Sequence, residues 1–385
     1  MRVLFVNHTG QVSGAEQAML SLLHAIRDEV DVAIACPAGP LTCALRSAGF
    51  KVDAIPETYG SLKLHPARTA AAVWEMARAA AAVRTVLKEA RADVIHANST
   101  RAGLICAAAT LAGGTPVITH VRDVLPRGGT PALVRSVIGR RSAALVAISE
   151  HVFRTLPGRG AHLIYDCVDC SRFDPALVSR ERTRADLGLD RDVPVLGIVA
   201  QITPWKGQDD AVKALAAVKT DAGPVRLLIV GSVKFVSRAT RHDNPAYMRQ
   251  LDSLIDALGL REHVTFLGER EDIPELIGAM DVLLLPSWEE PFGKAVVEGM
   301  AMQVPVVVTS IGGPAEVVRD GVDGLVVPPR QPEAWARAIS ELISAPDRRL
   351  EMGRRGRERA CGRFGLEAHA RSVLSLYSAI VPAGR

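Results

Sequence analysis

Short apolar runs alternate with longer amphipathic stretches from one end of this chain to the other, and that alternation leaves few folds open. Up to residue 150 the runs are RVLFVNH, VDVAIACP, KVDAIP, ADVIHA, PVITHV and AALVAIS; from residue 194 they are PVLGIVAQ, RLLIVGS, HVTFLGE, DVLLLPS, VPVVVTS and GLVVPP. Each is bounded by Gly, Pro, Asp or Ser, as parallel strands covered on both faces are. Amphipathic patterns at 14–28, 68–90, 206–219, 245–258 and 332–345 predict helices between them. Strand–helix–strand repetition implies right-handed crossovers and an α/β fold of doubly wound parallel sheets. The series pauses in the polar, proline-punctuated stretch from Asp169 to Pro194. With 385 residues, two cores are expected rather than one. The reading is an N-terminal Rossmann-like domain over 1–172 and a second over 173–365, facing each other across a cleft. A last helical pattern at about 366–381, within 366–385, is expected to pack back on the first domain.

Composition narrows the partners. The net charge is +4 and aromatic residues make up 4%, so the chain suits a phosphate-bearing ligand and does not read as a nucleic-acid binder. Six scattered cysteines (36, 43, 106, 167, 170 and 361) are expected to be reduced thiols in the cytoplasm. Cys167-Val-Asp-Cys170 spells C-x-x-C without a second pair at zinc spacing, so no metal is assigned. MRVLFVNHTG reads as a first strand rather than a signal peptide, and no charge-free apolar stretch is long enough to span a bilayer.

Ligands of open α/β sheets sit beyond the carboxyl ends of the strands. The segment DVLLLPSWEEPFGKAVVEGMAM has the form of a strand, a loop carrying Glu289 and Glu290, and a helix opening near Gly293. The amides of Gly293, Lys294 and Ala295 would point at an anion, with the Lys294 charge beside them. Glu290 and Glu298 are too far apart along a continuous helix for a glycosidase pair, roughly 12 Å at 1.5 Å per residue. Each carboxylate can instead grip neighbouring hydroxyls. Acid, anion site, acid then spells sugar, pyrophosphate, ribose; solvated helix-entry charges are the alternative. In VAQITPWKGQD, Lys206 follows a strand and precedes a helix, where it can meet the same phosphates or stand exposed in a first turn. NHTGQVSGAEQ places Gly10 and Gly14 after the first strand without a dinucleotide fingerprint. His120 ends PVITH beside Arg122 and Asp123, as a hydroxyl ligand or a structural histidine. GGPAEVV offers further amides, with Glu316 supporting that loop. Asp190-Arg191-Asp192 spells D-x-D but precedes a strand and is read as a turn.

The E-x7-E pattern from Glu290 to Glu298 around Pro-Phe-Gly, the surrounding stretch from Thr265 to Pro329, PWKGQ and SGAE resemble the retaining glycosyltransferases of family 4. The resemblance covers essentially the whole chain and is most specific in the C-terminal half. It implies the GT-B fold, with a nucleotide-sugar donor on the C-terminal domain and an acceptor on the N-terminal one. It implies that Glu290 binds sugar hydroxyls and that Phe292, Gly293, Lys294 and Ala295 line sugar and phosphates. Glu298 takes the ribose, Lys206 the pyrophosphate, and Arg270 lies near the base. Gly14 faces the phosphates, and His120 contacts sugar or acceptor. Gln201 stands where the family often has an arginine, YDCVD replaces the usual Asn-Gly-Val-Asp, and SG replaces Gly-Gly.

The expected function is retaining, metal-independent, cofactor-free transfer of a hexose-type sugar, from a UDP-sugar by preference, with His120, Lys206 and Glu290 at the reaction. The alternatives are a non-catalytic sugar-nucleotide-binding subunit and a sugar-nucleotide epimerase. The acceptor, whether small molecule, glycan or lipid-linked, is left open. Basic faces at 63–91 (Lys63, Arg68, Arg78, Arg84, Lys88, Arg91) and 127–141 (Arg135, Arg140, Arg141) suit peripheral contact with the inner face of a membrane or plain solvation.

Overall fold

The computed structural model describes residues 1–58, 66–125, 128–158, 160–220, 223–234 and 242–381, without the side chains of 66–70 and 130. Lys63, residue 127 and the Arg68 side chain, all on the expected basic faces, therefore lie outside the described residues. Two compact units emerge: Met1–Asp166 with Leu366–Arg385, and Cys167–Gly365.

The first unit holds a seven-stranded sheet. Its strands are β1 (Arg2–Val6), β2 (Asp31–Cys36), β3 (Val52–Ala54), β4 (Val94–Ala97), β5 (Val117–Val121), β6 (Ala144–Ala147) and β7 (Ala161–Leu163). They lie in the order β3-β2-β1-β4-β5-β6-β7, and every pairing is parallel. The second unit holds a six-stranded parallel sheet of β8 (Val195–Val199), β9 (Arg226–Val230), β10 (Val264–Gly268), β11 (Val282–Leu285), β12 (Val306–Thr309) and β13 (Leu325–Val327). Its order is β10-β9-β8-β11-β12-β13. The strand order reverses between β1 and β4 and again between β8 and β11, which makes the two switch points where ligands of such sheets settle. The expected α/β architecture of two doubly wound parallel sheets is present. One strand escaped the reading of runs: β7 has three residues, and the exposed His162 breaks any apolar signature.

The strands read as apolar runs because both faces are covered. On β1, Val3 and Phe5 enter one core while Leu4 and Val6 enter the opposite one, all fully buried. The helix Leu366–Ile380 belongs to the first unit and adds Val373, Leu376 and Tyr377 to the core formed by Met19, Leu22, Leu23 and Ile26 of the helix Gly14–Ile26. Each such apolar side chain contributes about 1.5–3 kcal/mol on burial.

The cysteine expectation is corrected. Cys170 and Cys361 form a disulfide across 191 residues of sequence, while Cys36, Cys43, Cys106 and Cys167 remain thiols. Local spacing was a blind guide, because the partner of Cys170 is not its C-x-x-C neighbour but a residue on the far side of the second sheet's sequence. With a disulfide present, cysteine usage no longer argues for a reducing compartment. No helix among the described residues is long and apolar enough to cross a membrane.

Candidate active site

Lys206 and Glu290 lie 84 positions apart in sequence and are joined at the second switch point. β8 runs into the short helix Pro204–Lys206, and β11 runs into the loop before the helix Lys294–Ala301. Lys206 Nζ donates to Glu290 Oε2 at 2.6 Å, and Ser287 Oγ donates to the same oxygen at 3.1 Å. The Lys206 ammonium also sits 4.4 Å from the centre of the Trp205 ring. One backbone and one side-chain bond hold the loops: Trp288 N donates to Trp205 O at 2.8 Å, and Trp288 Nε1 donates to Asp210 Oδ2 at 2.8 Å. Burial raises the Asp210 carboxyl above its usual range.

The helix Lys294–Ala301 opens from Gly293, a left-handed cap residue at φ 93° with no side chain of its own to cap the first amides. A helix start of this kind turns its first amides, those of Gly293, Lys294 and Ala295, outward along the helix axis. Lys294 Nζ donates to Cys167 O at 3.1 Å and lies 3.3 Å from Glu298 Oε1, one turn further on. Glu298 is buried at 6% exposure, and Phe292, at 2%, meets the Phe364 ring edge-on. Gly313 N donates to Glu290 O at 2.9 Å, so one amide of the Gly-Gly turn serves the loop itself. Gly312, at φ 84°, would place a Cβ 2.0 Å from that same carbonyl, which explains why the turn has no side chain there.

Gln201 and Thr203 follow β8 in the same loop. Gln201 O accepts from Gln208 Nε2 at 2.9 Å, but Gln201 Oε1 and Thr203 Oγ1 are buried with no partner among the described residues. Burying such groups unpaired costs about 1–3 kcal/mol each. Arg270 stands apart. It leaves the edge strand β10 and closes a two-point pair on Asp272, at 2.8 and 2.5 Å.

In the first unit, Gly14 is the exposed first residue of its helix. Behind it a buried polar chain crosses the first switch point. Glu16 accepts from Ser13 Oγ at 2.5 Å and from Asn7 Nδ2 at 3.3 Å. Asn98 Nδ2 donates to Asn7 Oδ1 at 3.1 Å, and Arg122 Nη2 donates to Asn98 Oδ1 at 3.2 Å. Arg122 ends the chain on Asp166 at 2.9 Å, with side-chain exposures of 8% and 6%.

His120 lies within β5 and is fully buried. Its Nδ1 meets His96 Nε2 at 3.2 Å, and His96 Nδ1 meets the Tyr377 hydroxyl at 2.6 Å. The His369 ring stacks on His120 at 6.1 Å. Burial, then Arg122, pushes His96 down to about 3; burial likewise holds His120 well below its usual range, so both rings are neutral. Burial keeps the Tyr377 phenol protonated. With Tyr377 as the donor to His96, the order passes along and the proton of His120 stands on Nε2. That nitrogen has no partner among the described residues.

Sequence reasoning missed Ser287, Thr203, the Asn7–Asn98–Arg122–Asp166 chain and the His96–Tyr377 support. The signal for Ser287 and Thr203 was their position just past strand ends. Nothing local pointed to Tyr377, which reaches His96 across 281 residues.

Comparison with known proteins identifies the family. Residues 13–162 match the family model described as glycosyl transferase 4-like domain, and 179–359 match glycosyl transferases group 1. A D-inositol 3-phosphate glycosyltransferase of Segniliparus rotundus is 30% identical over 275 residues, covering 68% of this chain and 58% of that protein. The chain spans about half the length of the curated relatives it matches. Anabaena HepE solved in complex with UDP superposes with a TM-score of 0.82 at 25% identity, over 98% of this chain and 100% of that one. The same protein in complex with UDP-glucose gives 0.85 at 24% identity, over 98% and 100%. With two successive domain models and a full-length structural match, the chain belongs to glycosyltransferase family 4 and has the GT-B fold.

Proposed function

We propose that the chain transfers a hexose-type sugar from a UDP-sugar to an acceptor hydroxyl, with retention of configuration and without a metal. The observation that carries this reading is the Lys206–Glu290 pair at the second switch point, beside the open helix mouth at Gly293. A diphosphate at that mouth attracts Lys206, and the glutamate it releases turns to sugar hydroxyls. Binding is thus an exchange of partners rather than the filling of an empty charge. Lys206, Lys294 and the helix amides supply the positive charge, so the reading invokes no ion. Glu298 takes the ribose hydroxyls. The orphaned Gln201 Oε1 and Thr203 Oγ1 add polar groups for a ligand to satisfy, where the family more often has an arginine.

In the transfer step the bond from the anomeric carbon to the phosphate oxygen breaks and a bond to the acceptor oxygen forms on the same face. The acceptor's proton passes to the departing phosphate. His120, whose Nε2 has no partner among the described residues, is assigned to a hydroxyl of the acceptor. UDP bound to the HepE neighbour supports the choice of nucleotide. Relatives named for D-inositol 3-phosphate make a small phosphorylated polyol one candidate acceptor, beside glycans and lipid-linked sugars. A thermal-shift panel of nucleotide sugars, followed by turnover with the best of them, tests the proposal. Near-normal turnover in both Lys206→Ala and Glu290→Ala would rule out their assigned roles. An inverted anomer in the product would rule out retention, and loss of activity in chelator would rule out metal independence.

A further inference from the structure

At the end of the second sheet opposite Lys206 and Glu290, a recess of about 380 Å³ lies among the starts of strands. Asp281 precedes β11, and Val304 and Pro305 precede β12; all three line it. Ligands of the sheet's other end do not reach this position, and the volume falls within the range of small-molecule pockets, roughly 300–1,000 Å³.

Three guanidinium groups share the single carboxylate of Asp281. Arg180 Nη2 meets Oδ1 at 2.6 Å and Arg184 Nη2 meets Oδ2 at 2.7 Å, while Val195 N also donates to Oδ2 at 2.8 Å. Arg349 Nη2 stays 3.6 Å from Oδ1, beyond hydrogen-bonding reach, while its Nη1 donates to the carbonyls of Leu342 and Ile343 at 3.0 and 2.7 Å. The cluster carries a surplus of two positive charges in a partly buried place. Burial lowers the Arg180 pKa, and its like-charged neighbours Arg184 and Arg349 lower it further. The helix Pro346–Phe364 begins at the same recess, and its cap residue Ala345 has no polar side chain to cap the first turn. An anion would be drawn by both features. Apart from Gln303, the remaining side chains of the wall are apolar, among them Val178, Met280, Met302 and Leu350.

We propose that this recess binds an anion carrying a compact apolar body, its charged head against Arg180 and Arg349 and its tail along the apolar wall. The proposal is independent of the donor reading, because the recess lies at the other end of the strands.

Isothermal titration of the full chain with octanoate, octyl phosphate and octanol tests it. Saturable binding of either anion, with octanol at least about tenfold weaker, is the expected result. Whichever anion binds more tightly identifies the headgroup. Leu350 is 73% exposed at the rim, so Leu350→Glu places a repelling charge there without touching the core. It should weaken the anion at least about tenfold with an unchanged melting temperature. Arg349→Gln gives a second arm, in case the rim variant still admits the ligand, and a tenfold loss in either supports the site. Saturating UDP should leave octanoate affinity unchanged. The proposal fails if neither anion saturates, if octanol binds equally well, if UDP displaces the anion, or if both substitutions leave binding intact.

Discussion

At the ends of β1, β4 and β5 the buried polar groups are amides, imidazoles and one arginine–aspartate pair. At the ends of β8 and β11 the charged groups are lysines and glutamates, beside Ser287 and the buried side-chain oxygens of Gln201 and Thr203. Both sets sit at the switch point of a parallel sheet, yet they solve different problems. The first set is nearly closed on itself: Glu16, Asn7, Asn98, Arg122 and Asp166 pass hydrogen bonds along a line. Such a chain fixes loop positions, and one broken link leaves the rest unpaired in a dry place. The second set is held in the ion pairs Lys206–Glu290 and Lys294–Glu298. On the proposed function the first rim keeps its partners and the second trades them.

The largest effect should come from breaking the closed set. Arg122→Ala removes the ion-pair partner of the buried Asp166 carboxylate and should cost about 3–5 kcal/mol of stability in urea unfolding. A loss below 1 kcal/mol would mean that the chain of bonds is not a unit. Next, Lys206→Ala should lower kcat roughly a hundred- to a thousandfold. If its stability loss equals that of Arg122→Ala, the contrast between the two rims disappears.

Third comes acid. Burial, then Arg101, pushes His8 down to about 4, and His96 falls to about 3. Both lie below the ordinary value of 6.5, so the unfolded chain binds protons that the folded chain does not. Stability is therefore complete above 6.5 and drains away as pH falls toward the folded values. The loss should be about 1.4 kcal/mol for each histidine over the first pH unit. His96→Gln should flatten the dependence of melting temperature on pH, and a slope identical to the parent would contradict the assignment. The smallest effect belongs to salt. A tenfold rise in ionic strength should weaken UDP-sugar binding about two- to fivefold, because the second rim works through charge, while leaving the urea midpoint of Asn7→Ala and parent equally spaced.

What the sequence disclosed follows from the same contrast. Apolar runs such as VPVVVT and VLLL are continuous, and they show β11 and β12 directly, because a strand covered on both faces has no polar positions to interrupt it. Lys206 and Glu290 were visible as residues just past strand ends. That they touch is a property of strand order, which places β8 beside β11, and no local pattern spells strand order. The His96–His120–Tyr377 assembly was invisible for a related reason. His96 looked like one polar residue in ADVIHA, and its support comes from a helix at the far end of the chain. The helix Pro346–Phe364 also went unread, because its many arginines mask the narrow buried stripe of Met352, Gly353, Gly356, Ala360 and Phe364.

The second unit begins and ends at neighbouring points: Val168 N donates to Phe364 O at 2.9 Å, Val168 bridges Gly365, and Cys170 is bonded to Cys361. It is a cassette spliced into one position of its host, and the sulfur bridge makes nearly all of it a closed covalent ring. A protease that nicks the ring once opens it without releasing a fragment, so the cut would show on a gel only after reduction. The same geometry marks the splice as a place where a different module with adjacent ends could be exchanged for this one, leaving the host sheet's strand order as it stands.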